Sequence, residues 1–409
     1  MRKLAKSCLY LGCFFLLWLP VQAQRGFTLD NPYIKSVRIP IEVFNNLILM
    51  EVTINNSFPL FFIIDTGVKT TLLTEPVILS ILNMDYVTPV KVRGLGSGDL
   101  IQAQLARGIK MELPGGVTGQ NMRMIVLPEG AVSYSAMFGR PVVGILGYDL
   151  FQNFVVEINY YRKYIRLTRP KDFKAPKQDQ ELPIMIKRSK PYIRGQVANL
   201  QGDTLDTWWL MDTGSSQSIS LYHEGFALPS RLLNAFIGEG LSGSLHGQIG
   251  RLPIFRLGPY RFEELIASFP EQASLRWVTL SDDKYANLGA GILSRFTLTF
   301  DYNRYRIYLR RNPSFKKSFE YNTSGLETLA QGVGFKEHYI SYVRPDSPAE
   351  AAGVQVGDEL LSVNGADITF MEVGEIHARL NRKAGRKLCL RLRREGEKFK
   401  RCFYLESGI

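Results

Sequence analysis

Along most of the chain, apolar and polar residues alternate with a period of two. Val37 to Asn55 shows an apolar alternation typical of strands, and Asn55-Asn56 then supplies a turn. Leu182 to Ala198 alternates in the same way and leads to a second turn at Gln201-Gly202-Asp203. This period puts one face of each run against a core, whereas a helix would need apolar residues every three or four positions. Helical signals are short. One follows each Leu-Gly, at Leu146-Gly147 and Leu288-Gly289. Ser347-Pro348 has the form of a helix start, with Ser347 at the N-cap and Pro348 at the first helical position. Glu372 to Arg382 predicts a longer helix with Ile376 and Leu380 facing inward. Leu388 to Arg394 and Glu397 to Leu405 flank Glu395-Gly396 and predict a hairpin. The expected fold is mainly β.

Two of the strand-like runs end on the same tripeptide. Phe61-Phe62-Ile63-Ile64 leads into Asp65-Thr66-Gly67, and Trp208-Trp209-Leu210-Met211 leads into Asp212-Thr213-Gly214. A glycine-rich segment follows each. The first is Arg93-Gly94-Leu95-Gly96-Ser97-Gly98 and the second is Gly238-Glu239-Gly240-Leu241-Ser242-Gly243. Glycine at that density permits a mobile hairpin. Each half then closes on one phrase. Gly144-Ile145-Leu146-Gly147 with Phe151, Phe154 and Asn159 to Leu167 matches Ala286-Asn287-Leu288-Gly289 with Leu293, Phe296 and Asp301 to Leu309 at a constant offset. The repeat predicts a duplicated lobe, over residues 24–172 and 173–312, joined by the polar stretch Pro170 to Gln180. A similar stretch, Arg310 to Ser324, separates a tail over 324–409.

Length and composition agree with several folded domains. The chain has 409 residues, 45% of them hydrophobic and 11% aromatic, which is ordinary for globular proteins and argues against disorder. The net charge is +12, but the basic residues are interspersed with acidic ones and no binding motif accompanies them, so a nucleic-acid partner is not expected. At the N-terminus, Arg2, Lys3 and Lys6 precede an apolar run from Cys8 to Leu19 and a cleavage site at Val21-Gln22-Ala23. That grammar predicts an export signal over residues 1–23. The run is too short to span a bilayer, which takes about 20 residues. The alternative, a lipoprotein signal on Cys13, leaves few apolar residues ahead of the cysteine. The expected location is periplasmic or secreted.

Removal of the leader takes Cys8 and Cys13 with it and leaves Cys389 and Cys402. A two-residue turn pairs Arg394 with Glu397, and counting inward sets Cys389 opposite Cys402. Alternation makes this a non-hydrogen-bonded pair, where side chains sit closer. Two alternatives stay open, a cross-strand disulfide in an oxidising compartment or two free thiols.

The order Asp-Thr-Gly, glycine-rich hairpin, Leu-Gly and closing strands resembles a lobe of the aspartic peptidases. The single chain with two copies is similar to the pepsin architecture, and the short lobes are more similar to retropepsin. The resemblance covers about residues 35–312 and implies two pseudo-symmetric β-barrel lobes. It also implies a catalytic dyad of Asp65 and Asp212. Two facing carboxylates cannot both ionise comfortably, so the pair holds one proton and can activate water. The resemblance further implies that Thr66 and Thr213 hydrogen-bond across the dyad, and that Gly67 and Gly214 allow close backbone approach. Gly94, Gly96, Gly98, Gly238, Gly240 and Gly243 would form flaps over a peptide or protein substrate. The family usually carries a small residue after Asp-Thr-Gly. Ser215 obeys and Val68 does not, which removes a hydroxyl from Asp65 and points to a raised pKa or reduced activity. The alternative function is a non-catalytic peptide-binding protein on the same scaffold. No metal or organic cofactor is implied, since His223, His246, His338 and His377 lack metal spacing. Both aspartates lie in one chain, so a monomer suffices.

The tail resembles a bacterial-type PDZ domain, an α+β module. The matching residues include Val343-Arg344-Pro345-Asp346-Ser347-Pro348-Ala349, Val356-Gly357-Asp358-Glu359-Leu360-Leu361 and Val363-Asn364-Gly365. Such domains take an extended peptide as an added strand and hold its C-terminal carboxylate on a loop. Gly332-Val333-Gly334-Phe335 is the expected loop. The alternative for the tail is a packing module braced against the lobes.

Overall fold

A computed structural model describes residues 26–81, 87–275 and 284–409. The leader expected over 1–23 lies outside them. Elements of the first half are β1 (Phe27–Leu29), β2 (Ser36–Pro40), β3 (Glu42–Phe44), β4 (Leu47–Ile54), β5 (Pro59–Ile64), β6 (Leu72–Leu73), α1 (Val77–Ile81), β7 (Val87–Val92), β8 (Ile101–Leu113), β9 (Val117–Val126), α2 (Tyr134–Phe138), β10 (Val142–Leu146), α3 (Tyr148–Phe151), β11 (Val155–Asn159) and β12 (Tyr164–Thr168). After a connection without regular structure come β13 (Gln180–Lys187), β14 (Lys190–Ala198), β15 (Thr204–Asp212), β16 (Ile219–His223), β17 (Leu233–Gly240), β18 (Gly243–Leu257), β19 (Tyr260–Pro270), β20 (Lys284–Gly289), α4 (Ala290–Leu293), β21 (Phe296–Asp301) and β22 (Arg306–Arg311). The tail contains β23 (Leu326–Gln331), β24 (Glu337–Val343), α5 (Pro348–Ala351), β25 (Glu359–Val363), β26 (Ala366–Asp367), α6 (Val373–Leu380), β27 (Lys387–Arg394) and β28 (Glu397–Tyr404).

The turns carry the residues that their geometry requires. Asn55 and Asn56 have φ of 46° and 58°, and Glu395 and Gly396 have φ of 52° and 87°. Two consecutive positive φ values reverse a hairpin in the sense of the strand twist. Both halves use one plan. In the first, β5 lies between antiparallel β4 and parallel β10, with Ile64 opposite Leu146. In the second, β15 lies between antiparallel β14 and parallel β20, with Asp212 opposite Gly289. The helices α3 and α4 follow these Leu-Gly positions.

The two closing hairpins then join. β11 pairs antiparallel with β21, setting Val156 opposite Phe300 and Ile158 opposite Leu298. β12 and β2 extend this sheet on one side, and β22 and β13 on the other. β11 and β21 at its centre are buried along their whole length, and one apolar core runs through both halves. Phe151 meets Phe300 edge-on at 5.5 Å between centroids and stacks on Tyr302 at 5.3 Å. The tail has a separate core of Leu326, Ile340, Val363, Ile376, Leu388 and their neighbours. Its sheet runs β23-β24-β25-β27-β28. In the last hairpin, Cys389 is opposite Cys402, and the two sulfurs are bonded. The Cys389 backbone N–H donates to Asn364 Oδ1, and its carbonyl accepts from Asn364 N–H. Both its backbone groups thus point away from β28.

Candidate active site

β5 and β15 deliver the two aspartates to one place. Asp65 follows the last residue of β5 and donates its N–H to the Leu146 carbonyl at 3.0 Å. Asp212 ends β15. The adjoining threonines are buried and interlock the two loops. Thr66 Oγ1 donates to the Met211 carbonyl at 2.6 Å, and Thr213 Oγ1 donates to the Ile64 carbonyl at 2.8 Å. Each hydroxyl also accepts the other threonine's N–H, at 3.1 Å in both directions. Four hydrogen bonds between segments far apart in sequence satisfy every polar group of both buried side chains, which holds the loops in one relative position.

The carboxylates accept from their own loops. Gly67 N–H donates to Asp65 Oδ1 at 2.6 Å, and Gly214 N–H donates to Asp212 Oδ1 at 3.0 Å. A Cβ on Gly214 would lie 2.4 Å from Asp65 Oδ2, and one on Gly67 would lie 3.3 Å from Asp212 Oδ1. Each glycine therefore makes room for the opposite carboxyl. Burial raises the Asp65 pKa well above the ordinary carboxylate value, and the Asp212 charge adds to the rise, as does a hydrogen bond with Asp212. The Gly67 N–H and the distant Lys190 charge pull it down by less.

The two sites are chemically unequal, and one residue that sequence reasoning missed explains much of this. Asn287, on β20, donates from Nδ2 to Asp212 Oδ2 at 2.8 Å. Ser215 lies instead against Gly289, where an added Cβ would come within 3.0 Å of its hydroxyl. The first half has Ile145 where the second has Asn287, and Val68 packs into an apolar cluster. Neither the Ile145 nor the Val68 side chain can donate to the Asp65 carboxylate. The signal for Asn287 was a carboxamide inside an otherwise apolar buried strand.

The glycine-rich segments meet each other. Residues 93–100 form the loop between β7 and β8, and Gly240 and Gly243 close the tip between β17 and β18. Gly98 N–H donates to the Ser242 carbonyl at 2.8 Å, and Ser242 N–H donates to the Leu95 carbonyl at 2.9 Å. Gly94 N–H reaches Ser242 Oγ at 3.3 Å, and Gly96 N–H reaches the Ser274 carbonyl at 2.9 Å. A Cβ on Gly240 would stand 2.2 Å from the Leu95 carbonyl oxygen, so only glycine fits this contact. Gly238 has open space around it. Leu241 at the tip packs on the cluster that contains Val68, Ile145 and Tyr134. Tyr134, also missed in the sequence, is the first residue of α2. Burial pushes its hydroxyl pKa up, and the charges of Asp65, Glu239 and Asp212 add to the rise.

The PDZ expectation needs a correction. Gly332-Val333-Gly334-Phe335 forms the turn of the β23–β24 hairpin, and Val333 is 95% exposed. Beyond this turn, β24 is hydrogen-bonded to β23 on one edge and to β25 on the other at His338 and Tyr339. A peptide strand has no edge to join there. The end strand beside α6 is β23, and the loop that leads into it is Asn322 to Gly325. The motif-like glycines misled because two glycines in a tight hairpin have the same spelling as two in a carboxylate loop. Of the histidines, His246 lies near Phe236 and Tyr342, and His377 faces Thr328, with burial pushing its pKa down to about 4. His338 is buried in the tail, while His223 bonds the Glu224 carbonyl near the surface. No described helix is long and apolar enough to cross a membrane.

Comparison with known proteins places two segments. Residues 50–150 match the family described as aspartyl protease, and residues 339–394 match the PDZ domain family. The carboxy-terminal processing protease CtpA of Bacillus subtilis (strain 168) is 30% identical over 142 residues, which is 34% of this chain and 29% of the relative. The chain thus spans under a third of that relative's length. A solved structure, the photosystem II D1 C-terminal processing protease, is 23% identical with a TM-score of 0.19, covering 20% of this chain and 22% of that one.

Proposed function

We propose that this chain is an aspartic endopeptidase whose dyad is Asp65 and Asp212, with a PDZ domain that serves peptide or protein recognition. In this reading residues 24–172 and 173–312 are the two lobes, 324–409 is the PDZ domain, and 1–23 is an export leader that directs the protein to the periplasm or the medium. The observation that carries the reading is the apposition of the two carboxylates, held by the Thr66–Thr213 exchange. The aspartyl protease match over residues 50–150 agrees with it, and the processing-protease name of the similar relative supports peptide cleavage without bearing on the catalytic type.

The unequal environments assign the roles. Asp65, next to Val68 and Ile145, holds the shared proton. Asp212 has donors from Gly214 and Asn287 and acts as the base. It takes a proton from water as the water oxygen bonds to the scissile carbonyl carbon. Asp65 gives its proton to the carbonyl oxygen, and the pair thereby exchanges roles. The tetrahedral diol collapses when Asp212 returns a proton to the amide nitrogen, the C–N bond breaks and Asp65 recovers its proton from the diol. The glycine-rich loops around Ser242 would close over the chain being cut and exclude water.

The test is cleavage of a peptide library between about pH 3 and pH 7. Asp65→Asn and Asp212→Asn should each lower kcat/KM by about 10³-fold or more. A serine-directed reagent should leave turnover intact. A wild-type protein that turns over no peptide at any pH, yet binds peptide, would establish the non-catalytic reading instead.

A further inference from the structure

The free edge of the PDZ sheet is not open along its length. β23 is the end strand, and α6 lies beside it, with Thr328 Oγ1 and His377 Nε2 3.2 Å apart. An added peptide strand would run in the space between β23 and α6. At one end of that space sits α2 of the first half, which packs on both β23 and α6. A Cβ on Gly139, the residue that caps α2, would lie 2.4 Å from Val373 Cγ2 and 3.6 Å from Ala330 Cβ. Phe44 closes the space further. Its ring is 5.1 Å from Phe138 on α2 and 5.7 Å from His377 on α6, and a Cβ on Gly374 would lie 3.3 Å from it.

Past Phe44 the space opens into a cavity of about 700 Å³ whose lining runs from Phe44 and His377 to Gly325, Arg344, Arg382 and Lys383. Its basic residues suit a carboxylate. Here too the chain occupies its own donors. The Ser324 and Gly325 N–H groups both give to Asn322 Oδ1 at 3.1 Å, and the Ser324 hydroxyl does so at 2.7 Å.

We propose that α2, wedged with Phe44 against β23 and α6, is the built-in occupant of the PDZ groove, and that an extended peptide with a free C-terminal carboxylate binds there only by unseating it. α2 is five residues long, too short to persist without packing. Its other face carries Tyr134, in the apolar cluster with Val68 and the tip residue Leu241. One short helix is thus a wall shared by the PDZ groove and the surroundings of the dyad. Peptide capture at β23 would loosen that wall, so PDZ occupancy and an ordered dyad surround exclude each other. The consequence for turnover rests on the peptidase reading. The seating of α2 does not.

The experiment uses the full chain and a pool of fluorescein-labelled ten-residue peptides that end in an apolar residue with a free carboxylate. An amidated pool is the control. Phe44→Ala should tighten binding of the free-acid pool at least tenfold over wild type. In the wild-type protein, saturation with that pool should speed hydrogen exchange at residues 134–140. Equal affinity in the two proteins, no binding to either, or exchange unchanged at saturation would each overturn the proposal. Neither readout needs cleavage, so a protein that responds as expected and cuts nothing would defeat the peptidase reading and leave this one standing.

Discussion

Asp65 and Asp212 have the same side chain in the same loop and different neighbours. Asp212 accepts from Gly214 and Asn287, while Asp65 accepts the Gly67 N–H, bonds Asp212 and has Val68 and Ile145 where the second motif has Ser215 and Asn287. Desolvation, with the Asp212 charge, therefore raises the Asp65 pKa. A carboxyl whose folded pKa is raised binds its proton more tightly in the folded state. Its contribution to stability is complete below the unfolded carboxylate pKa of about 3.9 and is lost as pH rises through the folded value. Asp65→Asn keeps the shape without the charge. It should melt at a higher temperature than wild type, by a margin that grows between about pH 4 and pH 7. A margin that shrinks over that range would contradict the burial argument. Much of this was legible: the repeat singled out both aspartates, and Val68 marked the weaker copy. Asn287 was not, because which strand residue faces a carboxylate depends on how β15 and β20 align.

Among the elements, the hairpins followed from local chemistry. Counting from Glu395-Gly396 set Cys389 opposite Cys402, and the structure has that register. The bond closes a loop with a sequence separation of 13. A loop of that size restricts the unfolded chain by an amount equivalent to about 3 kcal/mol. Replacing both cysteines with serine should lower the stability of the last domain by roughly that figure, measured by denaturant unfolding without reductant. A loss under about 0.5 kcal/mol would show that the bond adds little to the folded domain. α2 is the opposite case. Nothing in the stretch from Ala131 to Gly139 has a helical period long enough to register, and five residues do not make a stable helix in water. Packing against Phe44, β23 and α6 makes it one.

For the whole molecule, the arrangement of cores sets cooperativity. The two halves share one core through the β11–β21 junction, while the PDZ segment has its own. Calorimetry should therefore show one transition for both halves together and another for the PDZ domain, and reductant should shift only the second. Separate melting of the two halves would mean that the shared sheet does not bind them into one unit. Contacts through α2, Phe44, Phe236 and Tyr342 join the PDZ domain to both halves, and they lie outside either core.

The amino-acid sequence by itself determined the β class, the repeat, both aspartates and the cysteine hairpin. Each depends on something short-ranged: a period of two, a turn that needs glycine or asparagine, or a motif spelled in consecutive residues. Only the tertiary structure decided how the closing hairpins join, why Asp65 and Asp212 differ, and that β23, not the Gly332 to Phe335 turn, borders the PDZ groove. It alone packed α2 against β23 and α6. These outcomes depend on which distant segments become neighbours, and alternation says which face of a strand is buried without saying what will cover it.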